Sequence, residues 1–186
     1  MLVLASASPR RQELLRNAGI EFVVQPAHVP EVPQKDEPPK AYAERLAREK
    51  AQAVFRQRPS DLVLGADTVV VVGKTILEKP TDLEDASRML RMLSGRQHLV
   101  ITGVCLVGSG FEDVGSEATE VTMSALSDGD IRFYVASGEP MDKAGAYAIQ
   151  GIASRWISRI EGDYSNVVGL PVSLVYRMLR EHRACE

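Results

Sequence analysis

Short, wholly apolar runs alternate along this chain with longer stretches of helical period, and the two patterns predict strands and helices in turn. The chain opens on Leu2 to Ala5, read as a first strand, and runs into Ser6-Ala7-Ser8-Pro9. Ser8 can cap a helix and Pro9 suits its first position, where a missing N–H leaves no bond unmade. Leu14, Leu15 and Ala18 give that helix one apolar face, and Gly19 ends it. A second short strand is predicted over Glu21 to Val24. From Pro26 to Pro39 the chain carries five of its ten prolines and little apolar periodicity, so an extended loop is expected.

Lys40 to Arg58 keeps Ala43, Leu46, Ala47, Val54 and Phe55 at helical spacing. Leu62 to Val72 is too rich in β-branched residues for a helix and reads as one buried strand or two abutting ones, followed by a turn at Gly73-Lys74. Thr81 and Glu84 have capping-box spacing ahead of a helix carrying Leu83, Ala86, Met89, Leu90 and Leu93, closed by Gly95. Strands are predicted over His98 to Val107 and Ser116 to Ser124, joined around Gly108-Ser109-Gly110. Ser127 and Asp130 mark a capped helix reaching Ala136, Ile152 to Ile160 is strand-like, and a last helix runs from about Pro171 to Arg183. No internal repeat, low-complexity tract or long linker divides the chain, so one domain over 1–186 is expected.

At 186 residues and 45% hydrophobic content the chain can bury about 70% of its unfolded surface, enough for a core without disulfides. A formal net charge of -3 argues against a nucleic-acid polymer as partner, but a few clustered cations still suit a small anion. Cys105 and Cys185 form no CxxC pair, which fits a reducing cytoplasm. No apolar run approaches the roughly 20 residues of a membrane span.

The chain has no GxxxxGK[ST] loop, GxGxxG fingerprint, GxSxG elbow or HExxH helix. His28, His98 and His182 are scattered, and solvent or loop roles are expected for them. Ser6, Ser8, Arg10 and Arg11 join hydroxyls, a helix N-terminus and two guanidiniums just after a strand, the parts of an anion site or of an ordinary helix start. Asp67 interrupts an apolar run, where an unpaired carboxylate would cost several kcal/mol. A metal ion, a lysine or a water could compensate it, or it could cap a turn at a strand end. Lys50 lies four residues after Leu46 and four before Val54, on the apolar seam; it either points inward or snorkels along the helix. Lys79 sits in a loop and alone says little. The small-residue segment Met141 to Gly151 suits a ligand wall or a tight turn, and its Gln150 could read a base edge or make a structural bond.

Seven strings in one order, LASASPRRQELL, LAREKA, LGADTVV, LEKP, MLRMLSGR, DKAGAYAIQG and NVVGLP, resemble the Maf family of nucleotide pyrophosphatases nearly end to end. The resemblance implies a mixed α/β fold: an elongated twisted sheet flanked by helices with a deep nucleotide-binding cleft, related to the fold of inosine-triphosphate-cleaving enzymes. It implies Ser6, Ser8 and Arg11 around the substrate phosphates, with Lys50 and Lys79 reaching the same anion. Asp67 becomes the catalytic carboxylate, and Glu31 joins it in holding a Mg²⁺ or Mn²⁺ ion, although Pro30 stands where the family usually has another acid. Relatives cleaving 7-methyl-GTP carry tryptophan, glutamine and glutamate where this chain has Arg10, Thr68 and Gln150, so these three imply the dTTP/UTP subgroup. The expected activity is hydrolysis of dTTP and UTP to monophosphate and pyrophosphate. A homodimer is expected, as is common in the family. The rival readings are a nucleotide-binding regulator of septum formation without turnover, and a phosphomonoesterase that would release orthophosphate.

Overall fold

The computed structural model describes residues 1–182; Cys185, and Arg183 at the predicted end of the last helix, lie outside the described residues. The fold is mixed α/β, as the alternating pattern predicts. Its seven strands are β1 (Leu2–Leu4), β2 (Val23–Val24), β3 (Leu62–Val72), β4 (Thr75–Leu77), β5 (Gln97–Gly108), β6 (Phe111–Met123) and β7 (Ile157–Glu161). They form one sheet in the order β2-β1-β3-β5-β6-β7, with β4 also on β3. The helices are α1 (Pro9–Asn17), α2 (Pro39–Phe55), α3 (Leu83–Leu93), α4 (Asp128–Ala136), α5 (Tyr164–Val168) and α6 (Val172–Glu181).

The chain forms two compact units. The first takes Met1–Thr68, Thr102–Glu117 and the chain from Gly169 onward. Here β1 pairs in parallel with β2 and β3, Leu2 opposite Leu62 and Leu4 opposite Leu64. Both faces of this part of the sheet are covered, which is why its strands read as unbroken apolar runs. Leu2, Leu4, Leu64, Val104 and Leu106 pack with Leu15 of α1 and Val175 and Met178 of α6. Val3, Ala5, Val63, Cys105 and Val107 face the other way, onto Ala47, Ala51 and Val54 of α2.

The second unit takes Val69–Ile101 and Ala118–Val168. Within it β4 runs antiparallel to the end of β3, Val70 opposite Leu77, and β7 runs antiparallel to the end of β6, Val121 opposite Ile160. Helices α3 and α4 pack together, α3 burying Ala86, Met89, Leu90 and Leu93 and α4 burying Ile131, Tyr134 and Val135. The capped helix predicted from Ser127 and Asp130 forms, and the two side chains close a full capping box.

Several predicted boundaries move. Leu62–Val72 is one continuous strand. The strand predicted over Glu21 to Val24 shrinks to two residues. Asp82, not Thr81, caps α3, its side chain accepting from the Asp85 N–H at 2.8 Å. Strand β6 begins at Phe111 rather than Ser116, because Ser109 and Gly110 alone connect it to β5, and Gly110 takes the positive φ of +86° that so tight a hairpin needs. Ile152 to Trp156 is a 3₁₀ turn, and only Ile157–Glu161 is strand. His98 is no surface residue: it is 3% exposed, with Nε2 2.7 Å from the Tyr147 hydroxyl.

Candidate active site

Strand β3 is apolar and buried on either side of Asp67, whose own exposure is 7%. What meets the carboxylate is set two residues earlier. A Cβ on Gly65 would lie 2.1 Å from the Ala47 carbonyl oxygen and 2.7 Å from the Ala51 nitrogen, so only glycine lets α2 lie this close to the strand. Lys50 stands between those alanines, and its buried Nζ reaches Asp67 Oδ1 and Glu31 Oε1, each at 2.6 Å. Of the two fates open to Lys50 in the sequence, the inward one is observed. Of the compensations open to Asp67, a lysine is present.

Burial drives the Asp67 pKa upward, and Glu31 adds a smaller push in the same direction; Lys50 and Arg11 oppose them, leaving a net rise. The carboxyl therefore holds its proton more tightly than an ordinary aspartate, the property of a base meant to accept one. Oδ1 is taken by Lys50, whereas Oδ2 accepts no hydrogen bond from the described residues.

The second group of expected residues gathers around Arg11. Ser8 caps α1, its Oγ accepting from the Arg11 N–H at 3.5 Å, and buried Ser6 accepts from the Ser8 N–H at 3.3 Å. The Arg11 guanidinium faces inward. It donates Nε to the Gly169 carbonyl at 2.7 Å, Nη1 to Ser6 Oγ at 3.1 Å and the Ala66 carbonyl at 3.0 Å, and Nη2 to Thr68 Oγ1 at 3.0 Å. Burial works against its charge and Asp67 supports it; an arginine keeps its proton regardless. Arg10, half-buried on α1, adds a repulsive charge to the same cluster. Thr68 is engaged as well, lying 2.9 Å from Thr102 Oγ1. Sequence reasoning missed Thr102 and Gly169. Gly169, in the string NVVGLP, has φ +132°, and the glycine itself was the available signal.

Lys79 and Gln150 belong to the second unit, and both are exposed. Gln150 rides on a turn closed by the Gly151 N–H on the Ala148 carbonyl, 3.1 Å. The Ala148 N–H donates to the Tyr134 hydroxyl at 3.1 Å and the Ile152 N–H to Glu139 Oε1 at 3.1 Å, while Tyr134 itself donates to Glu139 at 2.8 Å. A Cβ on Gly151 would sit 2.3 Å from that carboxylate. The turn is thus held at both ends, and this support also went unread in the sequence.

Two hard carboxylates sharing one ammonium suit Mg²⁺ or Mn²⁺ in ligand type, since such ions bind through one or two carboxylates and fill their remaining positions with water and phosphate oxygens. Among the described residues no three His, Cys, Asp or Glu side chains cluster to form an all-protein cage.

The fold and this buried charge cluster define the class first: an α/β chain sharing its fold with the Staphylococcus aureus Ham1 protein, with a TM-score of 0.56 over 97% of this chain and 98% of that one at 13% identity. The family is then plain. The family model described as Maf-like protein matches residues 1–182, and the chain belongs to the Maf family. It is 61% identical over 179 residues to a Koribacter versatilis protein named dTTP/UTP pyrophosphatase, covering 96% of this chain and 93% of that protein. A Symbiobacterium thermophilum protein of the same name is 52% identical, covering 97% and 93%.

Proposed function

We propose that this chain is a nucleoside triphosphate pyrophosphatase that hydrolyses dTTP and UTP, and that Asp67 is its base. The observation that carries the reading is a buried carboxylate with one oxygen held by Lys50 at 2.6 Å and the other accepting no hydrogen bond among the described residues. Names of relatives at 52% and 61% identity support the substrate choice.

In this mechanism water attacks the α-phosphorus and gives its proton to Asp67 Oδ2. The new bond is from water oxygen to phosphorus. The bond that breaks is the one from phosphorus to the bridging oxygen, which leaves with pyrophosphate. Lys50 orients the carboxylate and, with Arg11, supplies positive charge to phosphate oxygens whose charge grows in the transition state. Ser6 and Ser8 place the start of α1 for the same anion. Glu31 and Asp67 would hold a Mg²⁺ or Mn²⁺ ion, which when bound neutralises phosphate charge. Lys79 supplies further positive charge, and Arg10, Thr68 and Gln150 select the base; these roles rest on the family's motifs.

Neither cysteine is given a covalent role: burial pushes the Cys105 thiol up to about 12, far from a thiolate nucleophile. No helix among the described residues is long and apolar enough to cross a membrane. We further propose a homodimer working in the cytoplasm.

One incubation decides among the readings. With dTTP or UTP and Mg²⁺ the protein should release pyrophosphate and monophosphate one to one, and EDTA should stop it until Mg²⁺ or Mn²⁺ is restored. Orthophosphate as first product would mark a phosphomonoesterase, and tight nucleotide binding without product would mark a regulator.

A further inference from the structure

The proline-rich segment that carries Glu31 cannot fasten itself with a backbone ladder, because five prolines between 26 and 39 lack the N–H that such a ladder needs. It is fastened by a side chain that no sequence motif singled out. Arg45, on α2 five residues before Lys50, donates Nε to Glu37 Oε1 at 2.7 Å and Nη2 to Glu37 Oε2 at 2.8 Å, a bidentate pair. The same Nη2 donates to the Val32 carbonyl at 3.0 Å, one residue beyond Glu31. Nη1 turns back along the helix to Glu49 Oε1 at 3.0 Å, and the guanidinium lies 5.4 Å from the ring centre of buried Tyr42. Glu37 Oε2 also accepts the Gln34 N–H at 3.0 Å.

The two grips on this segment differ in kind. The Arg45–Glu37 side chains are 19% and 9% exposed, whereas Glu31, on Lys50, is 41% exposed. With Glu31 that open to water its pair with the 10%-exposed Lys50 is weakened by screening, and a hold on its backbone helps to keep it beside Lys50 and Asp67. The Val32 carbonyl is where that hold is applied.

We propose that Arg45 is a positioning residue: paired with Glu37 it clamps segment 31–37 to α2, and thereby sets the affinity of the Glu31–Asp67 pair for a divalent cation without touching cation or nucleotide. The proposal rests on the pyrophosphatase reading for its consequence, but the clamp itself is measurable without turnover. In metal-free protein, Arg45→Ala should speed amide hydrogen exchange at Glu31, Val32 and Gln34 and tryptic cleavage after Lys35 by at least tenfold, with exchange in β1 and β3 unchanged. In the dTTP assay the same variant should need about tenfold more Mn²⁺ for half-maximal rate, with kcat at saturating Mn²⁺ within threefold of wild type. Arg45→Lys keeps the charge but loses the fork, and Glu37→Gln loses the charge and leaves one acceptor oxygen for the fork; both should fall between wild type and Ala, and they carry the test if Arg45→Ala does not fold. Wild-type exchange in all three variants overturns the clamp. A loosened segment with an unchanged Mn²⁺ requirement overturns the positioning role. A wild-type protein that releases no pyrophosphate overturns the activity reading instead, and the exchange arm still decides the clamp.

Discussion

Lys50, Asp67 and Glu31 in the first unit and His98 and Tyr147 in the second are both polar groups sunk among apolar strands, yet burial has opposite outcomes for them. Asp67 is pushed upward by burial but keeps opposite charges beside it. Among the described residues His98 has no such partner: burial alone lowers it to about 4, and its ring stays neutral against the Tyr147 hydroxyl, which burial raises. The first arrangement sets Lys50 and Arg11 against the burial of Asp67. The second settles for a neutral hydrogen bond. The contrast teaches where chemistry is to be sought: a carboxyl whose pKa burial raises, set beside a lysine and an arginine, is placed to take a proton next to an anion, whereas a neutral histidine on a tyrosine is not.

Three changes would break or sharpen this comparison. The largest effect is expected for Asp67→Asn, which keeps the shape and removes the base: kcat for dTTP should fall roughly a hundred- to ten-thousandfold. Pyrophosphate release within threefold of wild type would end the assignment. Next is the pH dependence of stability. The folded-state pKa of His98 lies below its unfolded value of 6.5, so its neutral form contributes stability above 6.5 that is lost as pH falls toward 4, on the order of 3 kcal/mol in all. Urea unfolding across that window should show this slope in wild type and not in His98→Asn, with dTTP cleavage near neutral pH unchanged; equal slopes would refute the burial argument. The smallest effect concerns Thr68, which the family's motifs assign to the base and which in the structure accepts a hydrogen bond from Arg11. Thr68→Val removes the acceptor at little change of volume and should cost about 1 kcal/mol, several-fold in kcat/KM. If Thr68 serves Arg11, dTTP, UTP and 7-methyl-GTP fall together. A changed ratio among them supports the proposed role of Thr68 at the base.

What was legible in the sequence followed from local pattern. Leu2 to Ala5 and Leu62 to Val72 announced strands, the second a buried one, through their apolar and β-branched character, and Ser8-Pro9 announced a helix start. Lys50 was visible as a cation on an apolar seam, but its partners were not, because Asp67 lies 17 residues away and Glu31 sits on a segment without periodicity. Arg11 illustrates the limit more sharply. Two of its acceptors are main-chain carbonyls, of Ala66 and Gly169, and a carbonyl looks the same under every side chain. His98 was misread because an isolated histidine carries no sign of the tyrosine, 49 positions on, that receives it. The strand predicted from Ile152 begins only at Ile157, because the Ile152 N–H goes to the Glu139 carboxylate, which ties the chain into a turn before the sheet begins.

The glycine contacts beneath α2 have a further consequence, mechanical rather than electrostatic. Gly65 meets the helix at Ala47 and Ala51, and Gly103 meets it at Ala43, where a Cβ would lie 2.4 Å from the carbonyl. A rod resting backbone to backbone on two neighbouring strands at separate points can neither roll about its axis nor slide along it without lifting off both. The amine of Lys50 therefore meets Asp67 with its approach fixed when the protein folds, and little of the roughly 2 kcal/mol of rotamer freedom of a lysine remains to be surrendered when a nucleotide arrives.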